Sequence, residues 1–272
     1  MALLARRKRL AEAFETIYEL YNRRELVHPD PLEFLYRYDR VEDREIAALI
    51  ASSLAYGRVT MIQKSVACVL DAMGSSPRAF IESGSETAWR EQFADFRHRF
   101  TSGDDVAALL GGVKRVIGKS GSLGEFLRSS RRACGTLEGA LDALVEELES
   151  GRKNSLLCRP SLGSACKRHF LMLRWMVRHD EVDPGGWHGL DPAELQVPLD
   201  THMYSVCRSL RFTRRASADL KTAREITSVF ASLRPDDPVR YDFALTRFGI
   251  RPDMSEAELI KLCTSARHER ND

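Results

Sequence analysis

Val41-Glu42-Asp43-Arg44-Glu45-Ile46-Ala47-Ala48-Leu49-Ile50-Ala51-Ser52-Ser53-Leu54 contains neither Gly nor Pro, and from Ile46 to Ala51 every residue is apolar. Such a run lacks strand alternation and reads as a helix buried on nearly every face. The same period recurs outward from it. Upstream, Leu3, Leu10, Phe14, Ile17, Tyr18 and Tyr21 lay one apolar stripe on a long helix over 3–25. His28-Pro29-Asp30-Pro31 breaks that helix, and Asp30 is placed to cap a short helix running through Tyr38. Downstream, Tyr56-Gly57-Arg58 interrupts, and the pattern resumes from Met61 to Met73 until Gly74 and Pro77 stop it. Shorter helices are expected over 86–97, 104–118, 123–131 and 136–149, then a non-helical connector over 151–163. Further helices follow at about 164–179, 201–210, 219–232, 238–248 and 255–266. Alternating runs joined by Asn-Gly or Asp-Gly turns do not occur, so the sequence predicts an all-α fold: one compact unit over 1–272, built as two helical lobes.

The 272 residues include 41 basic and 39 acidic side chains, a net charge of +2, with 43% hydrophobic and 29% charged residues. That composition excludes an acidic disordered chain. No stretch approaches the ~20 apolar residues of a membrane span. Ala2-Leu3-Leu4-Ala5 precedes the basic Arg6-Arg7-Lys8-Arg9, the reverse of an export signal, so a cytoplasmic protein is expected. The cysteines, 68, 134, 158, 166, 207 and 263, are scattered. Cys158 and Cys166 alone come close, and one such pair makes a poor zinc or iron–sulfur pattern, so buried free thiols and no metal are expected.

Cations are concentrated locally. Between Arg152 and Arg178 stand Lys153, Arg159, Lys167, Arg168 and Arg174 and no acid; Arg208, Arg211, Arg214, Arg215, Lys221 and Arg224 form a second cluster with only Asp219. A near-neutral protein arranged this way can present a face to a polyanion. Pro160-Ser161-Leu162-Gly163-Ser164 turns sharply before a helix start flanked by Arg159 and Lys167, an arrangement suited to a phosphate. Asp200, in Val197-Pro198-Leu199-Asp200-Thr201-His202, stands where an irregular segment gives way to a helix, the position of an N-cap. Were it to face Lys167, an amine nucleophile would have a carboxylate to take its proton.

Val197-Pro198-Leu199-Asp200-Thr201-His202-Met203-Tyr204-Ser205-Val206-Cys207-Arg208 resembles the aspartate motif of the helix-hairpin-helix DNA glycosylase superfamily, whose endonuclease III-type members carry a very similar Val-Asp-Thr-His stretch. Asp236 to Gly249 is similar to that superfamily's closing helix and glycine, and Glu45 to Lys64 to its first helix pair. The pattern from Gly163-Ser164-Ala165-Cys166-Lys167-Arg168 through Leu173-Arg174-Trp175-Met176-Val177-Arg178 to Asp200 also resembles a bacterial family placed within it. The resemblance runs over most of 45–250 and is specific across 160–210 and 236–249.

The resemblance implies a two-lobed glycosylase-like helical fold with its hairpin region at about 151–210. It implies that Asp200 is the catalytic aspartate and Lys167 the nucleophilic lysine of the bifunctional branch. The hairpin departs from the usual Leu-Pro-Gly-x-Gly by one glycine, and the 33 positions from Lys167 to Asp200 exceed those of most members. Archaeal 8-oxoguanine glycosylases are similar in that long separation. The iron–sulfur cysteines of endonuclease III are missing, since Cys263 alone follows Gly249. The implied activity is excision of an oxidised purine such as 8-oxoguanine from damaged DNA through a Schiff base, with strand cleavage as an added possibility, by a monomer without cofactor.

Arg159, Gly163, Ser164, Arg168, Arg174 and Arg208 are then the expected DNA contacts. Trp187 and Tyr56 are the first candidates for a base pocket, ahead of Trp175 and Phe170, and Arg58 and Gln63 lie where the superfamily probes the strand. Two rival readings remain: a DNA- or RNA-binding protein of the same fold without catalysis, and a metal-dependent phosphohydrolase built on His179-Asp180 with His98, His202 and Asp242.

Overall fold

The computed structural model of the chain describes residues 2–251 and 253–265. The expected last helix reached residue 266, which lies outside them, as do the side chains of Leu3 and Arg6. Among the described residues the protein is all-α apart from one two-stranded hairpin, and no helix there is long and apolar enough to cross a membrane. The chain divides into two units, residues 27–190 and a second made of 1–26 with 191–272.

The larger unit is built around α2 (Val41–Ser53), the helix with which the sequence reading began. Every residue from Glu45 to Ser53 is buried, and around it pack a 3-10 turn (Pro31–Arg37), α3 (Val59–Met73), α4 (Pro77–Ser83), α7 (Leu123–Cys134) and α9 (Lys167–Val177). Asp30 caps the 3-10 turn, its Oδ1 accepting from Leu32 N at 3.1 Å. The remaining helices are α5 (Glu86–Gln92), α6 (Gly103–Ser120) and α8 (Leu137–Glu149).

α5 ends five residues before the expected 97 because the chain turns into the strands β1 (Arg97–His98) and β2 (Thr101–Ser102). Gly103 makes the return possible: a Cβ there would lie 1.7 Å from the Phe93 carbonyl oxygen. Buried carboxylates of α2 tie its neighbours to it. Asp43 accepts from Ser76 Oγ and Arg78 N at 2.8 Å each at the start of α4. Glu45 accepts from Leu123 N at 2.9 Å and Gly124 N at 3.1 Å at the start of α7, where the helix dipole favours an anion.

The smaller unit holds α1 (Ala2–Tyr21), α10 (Thr201–Ser209), α11 (Leu220–Leu233), α12 (Asp242–Ile250) and α13 (Glu256–Ser265). Its core is aromatic: Phe14 lies 5.4 Å from Tyr241, 5.7 Å from Phe230 and 6.1 Å from Phe212 between ring centroids. The Tyr241 hydroxyl donates to Glu15 at 2.6 Å, and burial together with that carboxylate pushes the phenol up. α10 packs on α12 through Gly249, where a Cβ would stand 2.6 Å from His202 Nδ1. Two of the stretches that carry the superfamily resemblance, 197–208 and 236–249, therefore meet inside this unit.

Candidate nucleic-acid interface

Three segments of the larger unit interlock at the C-terminal end of α2. The first, Ser53 to Arg58, leaves α2. The second is the β1–β2 hairpin, and the third is the connector leading into α9. The Tyr56 hydroxyl lies 2.6 Å from Thr101 Oγ1 and 3.1 Å from the His98 carbonyl. Thr101 Oγ1 reaches Ser155 Oγ at 3.0 Å, Arg168 donates to the carbonyls of Ser53 (2.9 Å) and Ser155 (3.2 Å), and Lys167 Nζ donates to the Ala55 carbonyl at 3.4 Å.

Lys167 is the first residue of α9, half-buried, directly after Cys166 in a left-handed conformation. Of the other two segments, Arg58, Arg97 and Arg99 are exposed, and Phe100, at the hairpin tip, is 66% exposed while stacked on Tyr56 at 5.2 Å. An outward aromatic ring flanked by arginines suits a nucleic-acid strand, whose bases stack while its phosphates are neutralised.

His98 underlies this patch. Buried, it is held by Ser65 Oγ (2.8 Å from Nδ1) and the Tyr56 carbonyl (2.9 Å from Nε2). Burial first, then the nearby Arg99 and Arg168 charges, lowers its pKa below the ordinary 6.5. The unfolded chain therefore binds the proton first on acidification, so the stabilisation that neutral His98 gives is complete above about pH 6.5 and is lost as pH falls toward the folded value. The stability advantage of wild type over His98→Asn, read as Tm, is expected to be largest at about pH 7.5 and to shrink steadily toward about pH 5. An advantage independent of pH would remove His98 as the acid-sensitive group.

The hairpin before α9 is a 3-10 turn (Pro160–Leu162) closed by Gly163 at φ +80°, where a side chain would be strained. Gly163 and Ser164 are exposed, and Leu162 is 78% exposed at the tip. The Ser161 amide and hydroxyl already donate to Asp142 of α8, at 3.2 and 3.1 Å, so that amide is not open to a phosphate.

Several expected contacts are corrected by burial and pairing. Arg174 is 2% exposed with Nε on Asp183 at 3.2 Å, so it cannot reach DNA. Arg159 pairs with Glu146 and, at 2.7 Å, with Glu149 of α8, which neutralises its charge within the fold. Trp187 is 5% exposed, its Nε1 donating to Glu45 at 2.8 Å, and it leaves no face open for a base although it edges a cleft of about 300 Å³ with Val41, Arg128 and His188. Trp175 and Phe170 are core residues, and Gln63 donates to the Pro29 carbonyl at 2.6 Å. Tyr56 is covered by Phe100 and by the Arg168 guanidinium 5.2 Å from its ring, so the open aromatic is Phe100, which sequence reading passed over because the hairpin carrying it is too short to announce itself.

In the smaller unit Asp200 caps α10, accepting from Met203 N at 2.7 Å, and is half-buried. Arg208 is exposed over the Tyr204 ring at 5.7 Å, and Arg211, Arg214, Lys221 and Arg224 are exposed as well, while Arg215 is paired with Asp219 at 2.7 Å.

Three residues named for the phosphohydrolase reading are engaged elsewhere within the larger unit. His179 Nδ1 lies 2.9 Å from the Pro184 carbonyl, Asp180 accepts from Val182 N and Asp183 N, and both ring nitrogens of His98 are engaged.

Two cysteines expected to be buried, Cys68 on α3 and Cys134 at the end of α7, are exposed. Cys158 and Cys166 come together beside His169 beneath the start of α9. A hydrogen bond from the Cys166 thiol, then the His169 and Arg168 charges, holds the Cys158 thiol down at about 4 against burial. That same bond to Cys158, with burial, pushes the Cys166 thiol up.

A family model described as "Protein of unknown function (DUF2400)" matches residues 30–251. Neither a search of curated proteins nor a search of solved structures returns a match.

Proposed function

This chain belongs to the DUF2400 family, and we propose that it is a DNA glycosylase of base-excision repair, removing an oxidised purine such as 8-oxoguanine with Lys167 as its nucleophile. One observation carries the reading. A lysine opens α9 immediately after a left-handed turn, half-buried, its Nζ on the Ala55 carbonyl of the segment that also carries Tyr56, on which the outward Phe100 stacks, and the exposed Arg58. Its further support is the sequence resemblance, with Asp200 capping the helix of the stretch Val197 to Arg208.

In this reading the cations hold the phosphates, a term that falls with added salt. Phe100 occupies the space of an unstacked base as a lesion leaves the duplex, where a damaged base unstacks most cheaply. The neutral Lys167 amine attacks the sugar C1′. The glycosidic bond to the purine breaks with its electron pair leaving on the base, and of the two amine protons one goes to the base and the other to the sugar ring oxygen as the ring opens, leaving the Schiff base. Carrying these protons is the role that the sequence resemblance implies for Asp200.

Borohydride reduction of the protein mixed with duplexes carrying 8-oxoguanine, other oxidised purines or an abasic site tests this. A covalent protein–DNA adduct on at least one damaged duplex, and none on undamaged DNA, is the expected result. Wild type that binds these duplexes yet yields no adduct on any would establish a non-catalytic nucleic-acid-binding protein instead.

A further inference from the structure

The proposed chemistry leaves unused the cluster beneath the start of α9. Cys158 enters from the connector, Cys166 is the residue from which α9 springs, and His169 lies in its first turn. One donor atom from each lies within 4.8 Å of the other two, and Cys158 Sγ is 3.1 Å from His169 Nδ1. Cys166 and His169 are each 2% exposed, while Cys158 is half-buried and leaves a way in. His169 Nδ1 is thus the ring nitrogen that faces the sulfurs, while Nε2, on the far edge of the ring, is buried with no hydrogen-bond partner among the described residues. Turning the ring presents either nitrogen to the sulfurs.

We propose that Cys158, Cys166 and His169 bind one zinc ion, with the fourth tetrahedral position left to solvent or to an exogenous ligand. Two thiolates and an imidazole form an N/S donor set that selects zinc over the hard cations magnesium and calcium. Sulfurs bound to one tetrahedral ion at about 2.3 Å stand roughly 3.8 Å apart, so the observed cluster closes on a metal by an ångström or less of side-chain movement. Two thiolates also cancel the charge of the ion. The bound metal staples the connector to the first turn of α9 and so fixes the segment that carries Lys167, whatever reaction that lysine performs. The spacing Cys158-x7-Cys166-x2-His169 carries this signal in the sequence once the histidine three positions after Cys166 is added to the cysteine pair.

The test uses the full chain, kept reduced, stripped by chelator and titrated with Co(II) and then Zn(II). The expected result is one Co(II) per chain, thiolate-to-cobalt charge-transfer absorption with the intense visible bands of a four-coordinate ion, and displacement by one equivalent of Zn(II). Cys158→Ser and His169→Gln are each expected to weaken zinc binding at least tenfold, about the size seen for changes around metal ligands. Cys68→Ser, which removes an exposed thiol elsewhere, leaves the spectrum unchanged. Unsubstituted protein gives an independent readout: zinc raises its Tm and chelator returns it. No charge-transfer band in wild type, an undiminished band in the Cys158→Ser/Cys166→Ser double variant, or a Cys158–Cys166 disulfide that survives reductant would overturn the proposal.

Discussion

Lys167→Ala is expected to abolish the borohydride-trapped adduct, by at least about a thousandfold, the scale on which loss of a nucleophile is felt. The chain gives a physical reason to expect this without loss of the fold. A lysine at the first position of a helix faces the positive end of the helix dipole and costs a few tenths of a kcal/mol there, so α9 does not need it for stability. Its Tm is therefore expected to stay within about 2 °C of wild type, a shift of under about 1 kcal/mol. Lys167→Arg keeps the charge but not the nucleophile, since a guanidinium does not deprotonate in proteins. It should bind damaged duplex with wild-type salt dependence and still yield no adduct. Asp200→Asn separates a cap from a catalyst in the same way. Asn accepts from the Met203 amide as well as Asp does, leaving α10 intact, but cannot take a proton, so adduct formation is expected to fall by about a hundredfold or more. Trapping by Lys167→Ala at the wild-type level would assign the chemistry to another amine.

The helices were legible because local forces set them. The apolar run of α2, the Asp30 cap and the Asp200 cap follow from residue type and spacing within a few positions, and the structure places each as read. The hairpin at 97–102 was not legible. Its strands are two residues long, and its closure depends on Gly103 passing the Phe93 carbonyl, a contact across ten residues. The interface was half legible for a related reason. That Lys167, Arg168 and Tyr56 belong to one place could be argued from the motif, but whether a cation faces solvent is decided by the partner it finds. Arg159 finds α8, and Arg174 finds an aspartate nine residues on, beyond the turns that return the chain along α9. Trp187 likewise stands in an irregular, glycine-rich stretch, and Gly185 and Gly186, both at positive φ, turn that stretch inward and deliver the indole to Glu45.

Asp183→Ala is expected to destabilise the larger unit by about 3–5 kcal/mol, the range for breaking a buried ion pair from one side. That corresponds to a drop in Tm on the order of 10 °C. Asp183 is fully buried, with Arg174 on one carboxylate oxygen and Arg178 on the other, and both guanidiniums are nearly inaccessible to water. The group also fastens the chain reversal after α9: the Asp183 carbonyl accepts from Asp180 N at 3.0 Å, and Gly185 N and Trp187 N return to the carbonyls of Trp175 and Met176 at 3.0 and 2.8 Å. Burial raises the Asp183 pKa despite two arginines. A carboxyl raised in the folded state favours the fold fully below its unfolded pKa and loses that contribution as pH climbs through the folded value. Burial thus works against the Asp183 charge, while removing the carboxylate is worse, because two cations stay buried with less to balance them, Asp180 remaining on Arg178 at 2.8 Å. Replacing all three together, as Arg174→Met, Asp183→Leu and Arg178→Met, removes both buried cations and should therefore recover part of the loss seen in Asp183→Ala, less the ion pair that Arg178 makes with Asp180. Chemical denaturation of wild type, Asp183→Ala and the triple variant in parallel decides it. A triple variant as unstable as Asp183→Ala would mean that the carboxylate is needed for the turn itself and not for the charges around it.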